Sequence, residues 1–199
     1  MKKKQPSINK TPQLRIIGGQ WRGRKLAISA VDGLRPTGDR IRETLFNWLQ
    51  QDIRGARCLD CFAGSGALGL EALSRGAESV TLIEQHPQAA TMLRKHCTLL
   101  GIAPKQAQIV QSDAIDWLSK TAIEKGSVDI VFIDPPFAAK LWQASFDALT
   151  QSQCLADGAM IYIEAPKNIA LTTPEHWQLH REKFAGDVSY RLYRVMLNV

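Results

Sequence analysis

The sequence is poor in the residues that mark secreted, metal-binding or membrane proteins. Its 199 residues hold 4 Cys and 4 His. So few cysteines cannot staple a chain of this length. Cys58 and Cys61 form a C-x-x-C, but they fall in an apolar, strand-like run where residues three apart point to opposite faces. A redox pair and a zinc knuckle are therefore set aside, and no metal is expected. His86, His96, His176 and His180 show no ligand grouping; the nearest pair, His176 and His180, lies in an alternating segment and is read as surface. No apolar run approaches the ~20 residues of a membrane span. Met1-Lys2-Lys3-Lys4 leads into polar residues and not into an apolar signal core, so a cytoplasmic location without membrane attachment is expected. Internal repeats are missing as well. With 45% hydrophobic and 22% charged residues, one well-buried domain with a small appendage fits the length.

Charge is unevenly placed. The net charge is +6, yet residues 1–57 hold 13 Lys and Arg against 4 Asp and Glu, while residues 58–199 hold 12 against 15. A basic front joined to a slightly acidic remainder points to a polyanion-binding segment on a separate core; a merely solubilising tail is the plainer reading. Residues 1–13 are polar and are expected to be a disordered arm. Residues 14–54 read as an extension. Leu14 to Leu26 alternates apolar and basic residues around Gly18-Gly19, which predicts a hairpin or bent strand pair exposing Arg15, Arg22, Arg24 and Lys25. Trp21 either interleaves with nucleic acid or pins the hairpin to the core. After the turn Leu34-Arg35-Pro36-Thr37, a helix places Ile41, Leu45, Trp48 and Leu49 on one face, with Thr37 or Asp39 as its cap.

The core, residues 55–199, is organised around Cys58-Leu59-Asp60-Cys61-Phe62-Ala63-Gly64-Ser65-Gly66-Ala67-Leu68-Gly69. This stretch reads as strand, tight loop, helix. Gly64 and Gly66 allow a sharp turn and close approach of a ligand, and Leu70, Leu73 and Ala77 dock the helix on a sheet. Gly64, Gly66 and Gly69 satisfy the dinucleotide-binding pattern, and Glu84 lies about twenty residues on, where an acid can grip a ribose diol. Asp60 argues against a pyrophosphate, because it adds a negative charge beside the helix start where phosphates would rest. A ligand carrying an ammonium, a sulfonium and a ribose diol but no phosphate, as S-adenosylmethionine does, suits the loop better. The loop alone leaves both ligands open.

Beyond it, strands at 57–61, 79–84, 106–111, 128–133 and 158–164 alternate with helices at 66–75, 87–100, 114–124 and 139–152. The two alternating stretches at 177–184 and 188–196 flank a Gly186-Asp187 turn. The expected fold is α/β: a doubly wound, Rossmann-like, seven-stranded sheet, mostly parallel with a C-terminal antiparallel hairpin, preceded by a small basic hairpin and helix.

A second motif, Asp134-Pro135-Pro136-Phe137, follows the apolar strand Val128 to Ile133. At the C-terminal edge of an open sheet it should face the same crevice as the glycine loop. Two prolines remove two N–H donors and leave carbonyls and the Asp134 carboxylate as an acceptor-rich patch, which matches an exocyclic amine on a planar ring. Phe137 can lie against that ring.

Asp60-x-Phe62-Ala63-Gly64-Ser65-Gly66 together with Asp134-Pro135-Pro136-Phe137 resembles the class I S-adenosylmethionine-dependent methyltransferases that modify exocyclic amines. Arg15 to Leu26, Leu34 to Leu49 and Ser189-Tyr190-Arg191-Leu192-Tyr193 resemble, more narrowly, the RsmD-type bacterial 16S ribosomal RNA guanine-N2 methyltransferases, over roughly residues 14–194. Gly38 departs from that pattern, where a second threonine is expected. The resemblance implies that Glu84 takes the ribose hydroxyls and Asp113, with Ala114, the adenine. It gives the methionine end to Asp60 and the Phe62, Ala63, Gly64 and Gly66 loop. Asp134, Pro135 and Phe137 would then carry catalysis, with Pro136, Arg15, Arg22, Arg24, Lys25 and Arg35 toward the RNA. The implied partner is 16S rRNA in the small ribosomal subunit or an assembly intermediate, met by a monomer.

Three rivals remain. An adenine-N6 methyltransferase acting on DNA or RNA shares the Asp-Pro-Pro-aromatic motif, but the about seventy residues between the two motifs are consumed by strands and helices, leaving no room for a DNA target-recognition domain. An NAD-linked oxidoreductase has no use for Asp134 to Phe137. The third is a non-catalytic RNA-binding assembly protein on an inherited cofactor fold.

Overall fold

The structure, a computed structural model, describes residues 13–28 and 38–197. The predicted arm, up to residue 12, and the turn residues Arg35, Pro36 and Thr37 lie outside the described residues; Gln13 already belongs to a strand. The elements are β1 (Gln13–Arg15), β2 (Lys25–Ala27), α1 (Asp39–Trp48), β3 (Arg57–Asp60), α2 (Gly69–Ser74), β4 (Ser79–Ile83), α3 (Pro87–Leu100) and β5 (Ala107–Val110). They continue with α4 (Ala114–Lys120), β6 (Val128–Ile133), a 3-10 turn (Phe137–Ala139), α5 (Trp142–Ser152), β7 (Leu155–Pro166), β8 (Trp177–Ala185) and β9 (Val188–Val195). Seven strands form one sheet in the order β5-β4-β3-β6-β7-β9-β8, with β3 to β7 parallel and β9 antiparallel to both its neighbours. The expected fold is what the chain adopts.

The apolar runs of β3, β4, β6 and β7 are continuous because helices cover both sheet faces. One face packs Leu45 and Phe46 of α1, Leu70 of α2 and Leu93 of α3 on Cys58, Leu82, Phe132 and Tyr162. The opposite face packs Leu118 of α4 and Phe146 and Leu149 of α5 on Leu59, Val131, Ile133 and Ile163. Cys58 and Cys61 fall in different clusters, as their spacing requires. Among the described residues no helix is long and apolar enough to cross a membrane.

Several local expectations change: the helix read over 114–124 ends at Lys120, and the strand read over 158–164 spans Leu155–Pro166. The helix read over 66–75 starts at Gly69, because residues 61–68 are taken up by the glycine turn. The one read over 139–152 is split: a 3-10 turn ends at Lys140 in a left-handed conformation (φ 51°), and α5 begins at Trp142. Asp39 does not cap α1; Gly38 is the N-cap residue without a side-chain bond, and Asp39 accepts instead from Arg42 (2.6 Å) and Arg15 (3.1 Å).

The N-terminal hairpin is locked to the core by one carboxylate. Glu71, buried in α2, accepts from the Ile17 and Gly18 backbone N–H groups (2.9 and 2.8 Å), from Arg75 (2.7 Å) and from the fully buried Arg42 (3.4 Å). Gly18-Gly19 is thus a packing device more than a turn: a Cβ on Gly19, whose φ is +73°, would overlap the Ser74 carbonyl. The Trp21 ring is half-buried against the core and its backbone N–H donates to Ser74 Oγ, so the residue pins the hairpin.

Candidate active site

The strand order reverses between β3 and β6, which pair in parallel with Asp60 opposite Phe132. Ligands of open α/β sheets bind at the carboxyl ends of the strands at such a switch point. The glycine loop leaves β3 there and Asp134 leaves β6, so the two sequence motifs flank one crevice.

The loop is held by its neighbours. Gly64 and Gly66 take φ +52° and +82°, conformations costly for any side-chain-bearing residue. Gly69 leaves no space for a Cβ against Leu82, which lets α2 sit close to the sheet. Glu84, at the end of β4, accepts from Gly64 N–H (2.8 Å) and His86 N–H (2.7 Å), bracing the loop from the next strand. Asp60 is buried and accepts from Gly69 N–H (3.0 Å). Phe62 is half-buried and Ala63 buried beneath the turn. Across β4, Asp113 caps α4 with one oxygen, accepting from Ile115 and Asp116 N–H (2.9 and 3.0 Å), beside buried Ala114.

On the other side, Asp134 is half-exposed, Pro135 buried, Pro136 exposed and Phe137 36% exposed, its ring 5.9 Å from Trp142. The Trp142 indole donates to the Glu164 carbonyl (2.8 Å), which ties the 3-10 turn to β7. Glu164 itself is buried beside Asp134: Ile133 pairs with Ile163, so the next residues of β6 and β7 are neighbours on one face. Tyr162 donates its hydroxyl to Glu164 (2.9 Å).

Asp60, Asp134 and Glu164 lie on one face near the carboxyl ends of three adjacent strands. Burial, and then the charge of Asp134, pushes Glu164 up to about 8. Asp60 is pushed up to about 7 by burial first, with Asp134 and Glu84 adding repulsion and the Gly69 hydrogen bond opposing it. Carboxyls held up by desolvation and mutual repulsion favour a cationic ligand, which relieves both. Glu164, Tyr162 and Trp142 escaped the sequence reading, although Ile161-Tyr162-Ile163-Glu164 carries the same signal as Glu84 and Asp134, an apolar strand ending in an acid.

The predicted basic residues do not gather at this crevice. Arg15, Arg22, Arg24 and Lys25 are all exposed. Arg24 donates to the Leu99 carbonyl at the far end of α3 (3.2 Å), and Gln20 N–H to the Ser74 carbonyl at the end of α2. Both helices start at the crevice edge and run away from it. The 14 residues of α3 place the hairpin tip about 20 Å from that edge. Arg15 is nearer, paired with Asp39 at the start of α1. Arg35 lies outside the described residues.

Residues 14–194 match the family described as conserved hypothetical protein 95. The chain is 50% identical over 193 residues to the ribosomal RNA small subunit methyltransferase D of Escherichia coli K12, covering 96% of this chain and 94% of that one. The protein of that name from Haemophilus influenzae is 45% identical over 192 residues, covering 96% and 99%. Among solved structures, the Escherichia coli chain yhhF, assigned as a methyltransferase, superposes with a TM-score of 0.85 at 48% identity over 93% of this chain and 99% of that one.

Proposed function

The chain belongs to the conserved hypothetical protein 95 family, with the ribosomal RNA small subunit methyltransferases D, and on that premise we propose that it methylates the exocyclic N2 amine of a guanine in 16S rRNA. The observation that carries this reading is the pairing of an acceptor-rich Asp134-Pro135-Pro136-Phe137 edge with a braced glycine loop across one acidic switch-point crevice. The cytoplasm, and the small subunit or an assembly intermediate, are the setting we propose, with the chain acting as a monomer.

The crevice fits S-adenosylmethionine. Asp60 and Glu164, raised by burial and by neighbouring carboxylates, suit its ammonium and sulfonium charges. Glu84 keeps one lone pair on each oxygen for a ribose diol after bracing the loop, and the second carboxylate oxygen of Asp113 suits an adenine amine. When bound, the cofactor supplies an electrophilic methyl group. The protein's part is to place the amine. The Asp134 carboxylate and the Pro135 carbonyl accept from the two amine hydrogens, which favours a pyramidal nitrogen whose lone pair is free of the ring. Phe137, held by Trp142, stacks on the base and limits its rotation. Orientation of this kind can be worth roughly 7–11 kcal/mol of barrier. The proton released by the amine passes to Asp134 or to water.

The test is transfer of labelled methyl from S-adenosylmethionine to RNA, free and in small subunits, from cells lacking the enzyme, followed by nucleoside analysis. N2-methylguanosine is expected. N6-methyladenosine would replace the guanine reading by its rival, and binding of NAD with no donor binding in calorimetry would remove the methyltransferase reading altogether.

A further inference from the structure

The cations closest to the crevice are not those of the N-terminal hairpin. Asp134, Glu164, Tyr190 and Lys183 form one row across four neighbouring strands: Glu164 pairs with Tyr190, Tyr190 pairs with Lys183, and Asp134 follows the Ile133–Ile163 pair. Three strand spacings separate Asp134 from Lys183, about 14 Å. The β8–β9 turn at Gly186 stands at the crevice edge of the sheet, because Val188 pairs with Pro166 at the end of β7. Between this turn and the first half of α1 lies a groove of about 540 Å³, lined by Arg40, Thr44, Lys183, Phe184 and Tyr190 among others.

Its chemistry is uneven. Most acids around it are occupied: Glu182 pairs with Arg191, Asp187 with Lys167, and Asp39 with Arg15 and Arg42, while Glu43, next to Thr44 on α1, is exposed and in no ion pair among the described residues. Arg40 and Lys183 have no carboxylate within ion-pair distance among the described residues. Arg40 also sits in the first turn of α1, where a cation opposes the helix dipole, so its place is not explained by helix stability. Phe184, the next residue of β8, has the opposite parity to Lys183 and stands at the groove's rim, 59% exposed, an apolar ring left in water near a strand end.

We infer that this groove is a second RNA site, which holds a single-stranded nucleotide next to the target, its phosphate between Arg40 and Lys183 and its base at the rim formed by Phe184. The inference rests on the proposed RNA substrate and adds the side from which the strand enters. Glu164 and Tyr190 of the row are buried, so a strand laid in the groove passes over the carboxyl edge of the sheet toward Asp134, and the flanking nucleotide is fixed while the target base reaches Phe137.

The experiment compares Arg40→Ala/Lys183→Ala and Phe184→Ala with wild type, since all three side chains are exposed and their loss leaves the core intact. Single-turnover methylation is measured against RNA concentration and salt, and donor affinity by calorimetry. Loss of the two cations should flatten the dependence of log affinity on log salt by about 0.7 per lost phosphate contact. Phe184→Ala should raise the half-saturating RNA concentration about tenfold. In both, the donor should bind as to wild type. An unchanged salt slope with an unchanged half-saturating concentration overturns the site. If wild-type protein transfers no methyl to RNA, the proposed function fails, and anisotropy of a labelled single-stranded RNA oligonucleotide still decides the groove: equal affinity for wild type and variants overturns it.

Discussion

Asp60, Asp134 and Glu164 are where individual side chains govern the behaviour of the site. Asp60 and Glu164 are raised to about 7 and about 8 by burial and mutual repulsion, from ordinary values of 3.8 and 4.5. A carboxyl raised on folding keeps its proton in the native chain at pH values where the unfolded chain has lost it. The stability it contributes is therefore fully present below about pH 4, falls progressively as the pH rises from there, and has been lost once the pH has climbed through the folded values of about 7 and about 8. The ligand-free protein should show a falling Tm over that interval in calorimetric scans, and Asp60→Asn should flatten the fall. Binding of a cationic donor works in the opposite sense, since it favours the ionised carboxyls. Donor affinity should rise with pH toward 8, by about tenfold per pH unit for each proton released, and the uncharged-sulfur product should show a weaker dependence. Asp134→Asn and Phe137→Ala should fail differently in single-turnover assays. The amide keeps one acceptor but loses charge and basicity, so the chemical step slows strongly. Loss of the ring removes stacking worth about 1–3 kcal/mol, a drop of roughly ten- to a hundredfold in efficiency. Near wild-type rate in Asp134→Asn would remove the activating role assigned to that carboxylate.

At the scale of elements, the site depends on short-range braces between secondary structures. Glu84 of β4 holds the loop after β3, and Trp142 of α5 holds the turn after β6 to β7. The N-terminal hairpin depends on α2 through Glu71, which satisfies two backbone N–H groups and faces two guanidinium groups. Removing that carboxylate takes from the buried Arg42 one of the two carboxylates it faces, Asp39 remaining at 2.6 Å, and leaves the Ile17 and Gly18 N–H groups without their acceptor, a loss of the kind that costs up to about 3–5 kcal/mol. Glu71→Ala should accordingly lower the midpoint of urea unfolding sharply and open the chain before α1 to limited proteolysis. Unchanged protease resistance in that variant would show that the hairpin is held by apolar packing of Leu14, Ile16 and Leu26 alone. Gly19→Ala should act in the same direction, because its Cβ meets the Ser74 carbonyl and its φ is positive.

On the scale of the molecule, the charge asymmetry separates into two regions once the chain is folded. Arg22 and Arg24 at the hairpin tip lie on the α2–α3 side away from the crevice, whereas Arg40 and Lys183 border it. A ribosomal substrate is large enough to touch both. Neutralising Arg22 and Arg24 should reduce the salt slope of affinity for the folded RNA or subunit, by about 0.7 to 0.9 per lost contact, without changing affinity for a short oligonucleotide that spans only the crevice. If the short oligonucleotide loses affinity equally, the strand passes over the hairpin, contrary to the geometry.

The alternating sheet, the glycine loop and the Asp134-Pro135-Pro136-Phe137 edge were legible in the sequence, because strand and helix periods, left-handed glycines and proline pairs act within a few residues. The helix Pro87–Leu100 and the strand Val128–Ile133 have the ends read from their patterns, since proline, glycine and the apolar run mark them. Helix boundaries beside the site shifted, as the loop and the 3-10 turn took residues that periodicity assigned to helix. Only the tertiary structure decided which charges meet. Glu164 joins Asp134 because β7 lies beside β6, Glu71 binds a hairpin 53 residues earlier in the chain, and Arg40 faces Lys183 across elements at opposite ends of the sequence. Composition located the positive charge at the front of the chain; strand order and helix direction, which depend on long-range packing of two apolar faces, decided that most of the hairpin's share points away from the crevice.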